Sequence, residues 1–158
     1  MPHQDAVREH LVALLTKSEA HAGFENAVKD VPKEKRGIRP PGSPHSLWEL
    51  LEHIQLAQRD ILDFSQSADY PVFKWPEDYW PKTPAPLKEG DWRDSIKKVL
   101  EDRAAFIELI RDKERDLFIP LPWGDGQTLM REALLIADHA AYHTGEIVLT
   151  RRLLDIWP

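Results

Sequence analysis

Apolar residues recur at the three- and four-residue spacing of an α-helix in four segments of this 158-residue chain. No segment shows the strict alternation of apolar and polar residues that is typical of a strand. Stretches that contain proline and glycine separate the four segments and cannot continue a helix. We therefore predict an all-α fold in a single domain over residues 1–158, because four amphipathic helices of this length most often form a four-helix bundle.

Start and stop signals set the predicted limits of these helices. The first helix is predicted from about Asp5 to Val28, and a basic loop with proline and glycine follows it. The second begins at the capping-box sequence Ser46–Glu49, whose two polar side chains satisfy free backbone N–H groups. A loop rich in proline and aromatic residues, from about 67 to 90, leads to the third helix, with Asp91 as its predicted N-cap. Thr128 can cap the fourth helix, which runs nearly to the C-terminus.

Composition excludes several classes of protein and of chemistry. The net charge of −6 argues against a nucleic-acid partner, which usually selects a basic surface. No run approaches the roughly twenty apolar residues that a membrane helix needs, and the polar N-terminus is unlike a signal peptide, so we expect a cytoplasmic protein. The chain has no cysteine. Disulfides, thiolate metal ligands and a cysteine nucleophile are therefore excluded together, and any thiol chemistry would use a thiol that a ligand supplies.

Two histidines, His139 and His143, are four residues apart on the predicted apolar face of the last helix. Four residues are slightly more than one helical turn, so both imidazoles project from the same side. Burying them there is costly unless their ring nitrogens find partners, and a metal ion would satisfy both. The alternative is a pair of core-edge histidines bonded to carboxylates or water. The same face carries the apolar residues Leu129, Ile136, Ala140, Ile147 and Leu154.

His53, at the flank of the apolar stripe of the second helix, can converge on His139 and His143 if the second and fourth helices are neighbours. Three histidines with an open position are typical of a catalytic metal site, whereas structural zinc sites usually have four protein ligands. Imidazole suits several divalent ions, and the sequence does not select among Zn, Ni, Mn and Fe. Ala140 follows His139 where a zinc peptidase motif would have glutamate, so that chemistry is not indicated.

Two carboxylates, Glu132 and Glu146, lie near the histidine face of the fourth helix, one or two turns from the histidine pair. Each is a candidate catalytic residue, either as a partner that orients an imidazole or as a general base. The alternative for both is a rim carboxylate paired with an arginine or lysine. The loop from 67 to 90 is interpreted as a crossover connection and a candidate wall of the site, and the other four histidines are assigned no role.

The segments Trp48–His53 and Asp138–Ile147 resemble the DinB-like (DNA-damage-inducible) superfamily, and the likeness extends over nearly the whole chain in helix order, loop placement and length. The resemblance implies a four-helix bundle with up-down-down-up connectivity, whose long loop joins the second and third helices. It also implies a divalent metal ion held by one histidine of the second helix and two of the fourth, here His53, His139 and His143. A homodimer is a further implication.

Family members with an assigned function include low-molecular-weight-thiol transferases and a thiol-dependent isomerase, and others are described as metal-dependent hydrolases. The resemblance therefore implies a small-molecule substrate and a low-molecular-weight thiol as co-substrate of an S-transferase. A hydrolase that activates water, and a non-catalytic, stress-associated metal-binding bundle, are the alternatives. The chain reads His143-Thr-Gly-Glu146 where many relatives read His-Arg-Gly-Gln, and Leu135 where many carry another histidine. These departures concern the substrate and the thiol rather than the metal ligands.

Overall fold

Helices are the regular elements of the structure, a computed structural model that describes residues 2–158. Over that range there is no β-strand, and one isolated bridge pairs Pro120 with Thr128. The prediction of an all-α chain is confirmed. Across the same residues, no helix is both long enough and apolar enough to cross a membrane. The five α-helices are α1 (Pro2–Thr16), α2 (Phe24–Val28), α3 (Leu47–Gln66), α4 (Asp91–Arg111) and α5 (Leu129–Leu153).

Helix α3 occupies the middle of the packing, since it contacts both α4 and α5 along its length. Helix α1 packs on α4 and α5, and the short α2 packs on α5. Two clusters of buried apolar side chains result, one around the start of α3 and one around its end. The contact between α3 and α5 determines which polar side chains of these two helices lie close together. The largest fully buried apolar side chains are Phe106, Leu47, Leu50, Leu51, Ile54, Leu62, Ile110, Leu117, Leu129 and Ile147.

The predicted caps of α3 and α5 are both present. The Ser46 hydroxyl accepts a hydrogen bond from the Glu49 N–H at 3.2 Å, and the Glu49 carboxylate accepts one from the Ser46 N–H at 2.8 Å. The Thr128 hydroxyl accepts a hydrogen bond from the Arg131 N–H at 3.1 Å. These caps satisfy N–H groups that lack partners inside the helix. They therefore fix the first residue of each helix that carries a histidine of interest.

The predicted N-cap of α4 is wrong by one residue. Gly90 is the N-cap, and Asp91 is the first residue of the helix. The Asp91 carboxylate accepts hydrogen bonds from the N–H groups of Leu87 and Lys88, at 3.0 and 2.8 Å. Asp91 therefore closes the turn that precedes the helix instead of capping the helix itself. An aspartate at a helix start serves either purpose, and the two uses look alike in a sequence.

The predicted first helix, Asp5–Val28, is wrong in its second half, because the chain leaves the helix after Thr16 and forms α2 only from residue 24. Gly23 precedes α2 in an extended conformation with φ −75° and ψ 162°. A Cβ atom at Gly23 would lie 1.9 Å from the Ser18 hydroxyl, so a larger residue at this position would force the Ser18 side chain to move. After this turn α2 packs on α5, and its residues Phe24, Ala27 and Val28 are buried.

A buried arginine, Arg151 of α5, holds α2 in this position. Its Nη1 donates to the carbonyl oxygens of Asn26, Ala27 and Lys29, at 3.2, 2.7 and 3.0 Å. Its Nη2 donates to the Ile156 carbonyl at 3.1 Å. The last carbonyls of a helix have no partners inside that helix. Arg151 supplies these partners from another helix, so it joins α2, α5 and the C-terminal residues.

We expect the substitution Arg151→Met to lower the free energy of unfolding by about 3 kcal/mol, because it leaves buried carbonyl groups without donors. Urea denaturation measures this change. The matched control is Arg152→Met, which removes an exposed guanidinium from the next residue and should change stability by no more than about 0.5 kcal/mol. Equal effects of the two substitutions would contradict a special role for Arg151.

Candidate metal centre

Helices α3 and α5 bring three imidazoles together. His53 comes from α3, and His139 and His143 follow one another by one turn on α5. One ring nitrogen from each residue lies within 4.8 Å of the other two, and the Nε2 atoms of His53 and His139 are 3.1 Å apart. The structure thus places the three histidines that the sequence singled out at one point between the two helices.

The three rings are shielded from solvent. His53 is 3% exposed and His143 is 8% exposed, and His139 is half-buried. Burial lowers the pKa of all three imidazoles, and neighbouring imidazoles add to the effect at His139 and His143, where the pKa falls to about 4. Neutral imidazole is the form that binds a metal ion. At neutral pH these rings are therefore in the protonation state that coordination requires.

The tautomer of His53 is determined by a backbone group. Its Nδ1 lies 2.7 Å from the carbonyl oxygen of Tyr79, in the loop between α3 and α4. A carbonyl oxygen accepts but cannot donate, so Nδ1 of the neutral ring carries the hydrogen. The Nε2 atom, which faces His139, then presents a lone pair. A hydrogen bond of this kind is the usual support of a histidine that binds a metal ion.

Glu146 supports His143 in a similar way. Its Oε2 lies 2.6 Å from Nδ1 of His143, one turn earlier on α5. An ionised Glu146 accepts the Nδ1 hydrogen and leaves the Nε2 lone pair of His143 free. Partial burial raises the pKa of the Glu146 carboxyl group. Glu146 therefore contacts the ring nitrogen of His143 that faces away from the cluster, which is one of the two roles considered from the sequence. Its carboxylate is not among the candidate metal ligands.

The donor set fits a divalent ion. Two nitrogens bound to one tetrahedral zinc ion at the usual bond length are about 3.3 Å apart, close to the 3.1 Å between the Nε2 atoms of His53 and His139. Lone pairs that face each other at this distance repel, unless a proton or a cation lies between them. Within residues 2–158, no aspartate, glutamate or further histidine joins the group. The site would therefore hold its ion through neutral ligands alone.

The indole of Trp80 covers one face of the candidate ligand His53. The two rings are parallel within 1°, with centroids 3.9 Å apart, and the imidazole of His45 also stacks on Trp80, at 4.0 Å. The loop therefore forms a wall of the site, as its aromatic content suggested. The sequence did not single out Trp80 among the loop aromatics and assigned no role to His45. The path of the loop places Trp80 against both imidazoles, whereas His45 lies just before the N-cap of α3, and no local spacing signals that path.

Glu132, the second carboxylate proposed from the sequence, lies elsewhere. It is 1% exposed, and its Oε1 accepts a hydrogen bond from the Arg131 guanidinium at 2.7 Å. Among the described contacts it has no hydrogen bond with any of the three histidines. It lines a separate pocket with Asp60 and Tyr79. The pairing with arginine is the alternative that the sequence left open, and a catalytic role for Glu132 stays a prediction.

The all-helical fold and the three converging imidazoles fit a helical metal-binding protein. The family model of the DinB superfamily matches residues 6–147, a range that contains all three histidines. The chain belongs to the DinB superfamily, which confirms the resemblance seen in its sequence. Comparisons with curated proteins and with solved structures gave no match.

The metal-free protein should lose stability as the pH falls from about 6.5 to about 4. In that interval the unfolded chain protonates His139 and His143, whereas the folded protein keeps them neutral. The unfolded state then binds more protons, so the free energy of unfolding decreases as the pH decreases. Urea midpoints in the presence of a chelator measure the trend. The substitution His143→Gln should reduce the slope, and an unchanged slope would contradict this assignment.

Removing the carboxylate behind His143 should weaken metal binding without abolishing it. We expect Glu146→Ala to lower the affinity for a divalent ion by about 10- to 100-fold, the usual cost of losing such a support. Competition with a metal-binding dye measures the affinity. The matched control is Glu108→Ala, which removes an exposed carboxylate from α4. If both variants bind the ion equally well, Glu146 has no orienting role.

Proposed function

We propose that the protein is a divalent-metal-dependent S-transferase, in which His53, His139 and His143 hold the ion. The observation that carries the proposal is the convergence of three neutral imidazoles without a protein carboxylate or fourth histidine among the described residues. Structural zinc sites usually have four protein ligands, whereas catalytic sites keep a position for substrate or water. A three-histidine set supports the second kind of site.

When bound, a divalent ion supplies Lewis acidity, which lowers the pKa of a thiol or water in its open position. The protein residues supply the framework. The Tyr79 carbonyl and the Glu146 carboxylate each hold one imidazole by its Nδ1 atom. Trp80 covers the face of His53 and keeps water from that side. The chain has no cysteine, so the thiol belongs to a low-molecular-weight co-substrate, and its acceptor is an electrophilic small molecule.

The native ion is Zn, Ni, Mn or Fe in this proposal, because geometry and the supply of metal in the cell, and not affinity alone, decide which ion a site holds. Glu146 has the role of orienting His143. Glu132 is assigned to substrate rather than to the ion, since it lies two turns from His139 on α5 and pairs with Arg131. A base at Glu132 would act only on a substrate that extends along the helix from the histidines.

We also propose that the four long helices form an up-down-down-up bundle, as the family resemblance implies. Ser95 donates to Glu52, and Arg59 donates to Asp102, so residue numbers rise together along α3 and α4, which supports a parallel pair. The pair α1 and α4 is antiparallel in this proposal. Arg8, in the middle of α1, donates to the Ile110 carbonyl at the end of α4, whereas the end of α1 lines a pocket with Val99 and Arg103, which are earlier in α4. A parallel α3–α4 pair requires the long crossover loop that contains Trp80.

Metal analysis of the purified protein tests the proposal first. We expect about one divalent ion per chain, and we expect His53→Ala and His139→Ala to lose it, because each removes one of three ligands. The matched control is His10→Ala, an exposed histidine of α1, which should retain the ion. Failure of the wild-type protein to bind Zn, Ni, Mn or Fe would overturn the metalloenzyme proposal.

Activity assays then separate transfer from its alternatives. The metal-loaded protein is given an electrophile with and without a low-molecular-weight thiol, and thioether formation is followed. Product that requires both the thiol and the ion supports the S-transferase. Hydrolysis that needs the ion but no thiol supports a hydrolase. If neither reaction occurs and His143→Ala destroys cooperative unfolding, the ion is a structural link between α3 and α5.

A further inference from the structure

A second pocket, of about 230 Å³, lies between α3, α5 and the loop that connects α3 with α4. None of the three histidines lines it. Its wall combines two carboxylates with several aromatic rings, which is an unusual lining for a cavity that only holds water. The carboxylates are Asp60 and Glu132, and the aromatic residues are Phe64, Tyr70, Phe73 and Tyr79.

The pocket lies on the same faces of α3 and α5 as the three histidines. Asp60 follows His53 by seven residues on α3, and Glu132 precedes His139 by seven residues on α5. Seven residues are two helical turns, about 10 Å, and return to the same helix face. Tyr79 contacts both the histidine cluster and the pocket. Its carbonyl oxygen lies 2.7 Å from Nδ1 of His53, and its hydroxyl donates to Asp60 at 2.6 Å.

The charges in the pocket do not balance. Among the residues that line it, Asp60 and Glu132 are acidic, and Arg131 is the one basic residue. The Arg131 guanidinium donates to Glu132, whereas Asp60 has the neutral hydroxyl of Tyr79 as its partner. Burial raises the pKa of both carboxyl groups. Among the residues that line this partly open pocket, the Asp60 carboxylate therefore has no cationic partner.

The aromatic rings suit a cation that is organic rather than metallic. Phe64 and Tyr70 meet edge to face with centroids 5.3 Å apart, and Phe73 and Tyr79 do so at 5.5 Å. Ring faces attract ammonium groups through their quadrupole. A small hydrated metal ion would instead need several oxygen ligands, and two carboxylates among apolar rings do not provide them. An anionic group would be repelled by Asp60.

We propose that this pocket binds the ammonium group of an alkylamine, with the carboxylates as counter-charges and the aromatic rings as its walls. The alkyl part of the amine lies between α3 and α5 and points toward the three histidines. Only the statement that this amine is a substrate rests on the proposed function. Binding of the amine itself requires no metal ion, because none of the three candidate metal-binding histidines lines the pocket.

Saturation-transfer NMR titration with butylammonium tests the proposal, and 1-butanol is the uncharged probe of matched size. We expect butylammonium to bind at least about tenfold more tightly than 1-butanol, because a buried charge pair contributes that much. Asp60→Asn should weaken butylammonium binding by about tenfold. The matched control Asp69→Asn, which removes an exposed carboxylate from the loop just after α3, should leave the affinity unchanged. Equal binding of both probes, no binding of butylammonium, or an Asp60→Asn variant with wild-type affinity would overturn the proposal.

Two further variants keep the test decisive. Phe73→Leu removes one aromatic wall, retains an apolar side chain and leaves both carboxylates, so butylammonium affinity should fall about threefold. An unchanged affinity would contradict the aromatic contribution. His139→Ala should lose the metal ion and still bind butylammonium. Amine binding and metal binding are thus measured independently. Loss of amine binding contradicts only the proposal for the pocket, and loss of metal binding contradicts only the proposed function.

Discussion

The packing of α3 on α5 is the contact on which the candidate site depends, because it alone brings His53 to His139 and His143. A helix rotates by about 100° for each residue, so a slip of one residue would turn an imidazole out of the cluster. The caps at Ser46 and Thr128 fix where the two helices begin. Local hydrogen bonds at the helix starts thereby set the register of a site two or more turns away.

The loop between α3 and α4 is part of the site rather than a simple connection. It supplies the Tyr79 carbonyl that fixes the tautomer of His53, and the Trp80 ring that covers it. The Ser46 hydroxyl donates to the Pro84 carbonyl at 2.5 Å, so the same loop is also attached to the start of α3. The centre therefore combines two rigid helices with one loop segment whose backbone, and not only its side chains, takes part.

Much of this could be predicted because the signals are local. Periodicity and caps identify α3 and α5, and the four-residue spacing puts His139 and His143 on one face. The break after Thr16 was not predicted, because no proline lies between Thr16 and Phe24 and the one glycine, Gly23, comes only at the end of that segment. The stacking of Trp80 on His53 could not be predicted from the sequence either. It depends on the path of a loop whose contacts are distant in sequence.

The stacking of Trp80 on His53 has an evolutionary consequence. A residue that forms a wall of a site is a natural place to change which molecules fit there, and here that residue also stacks on a candidate ligand. Its neighbour Tyr79 holds the same imidazole through the backbone. Mutations at this wall would therefore also change the support of His53, and with it the binding of any ion that the three histidines hold. Descendants of this chain could replace Trp80 only together with compensating changes around His53.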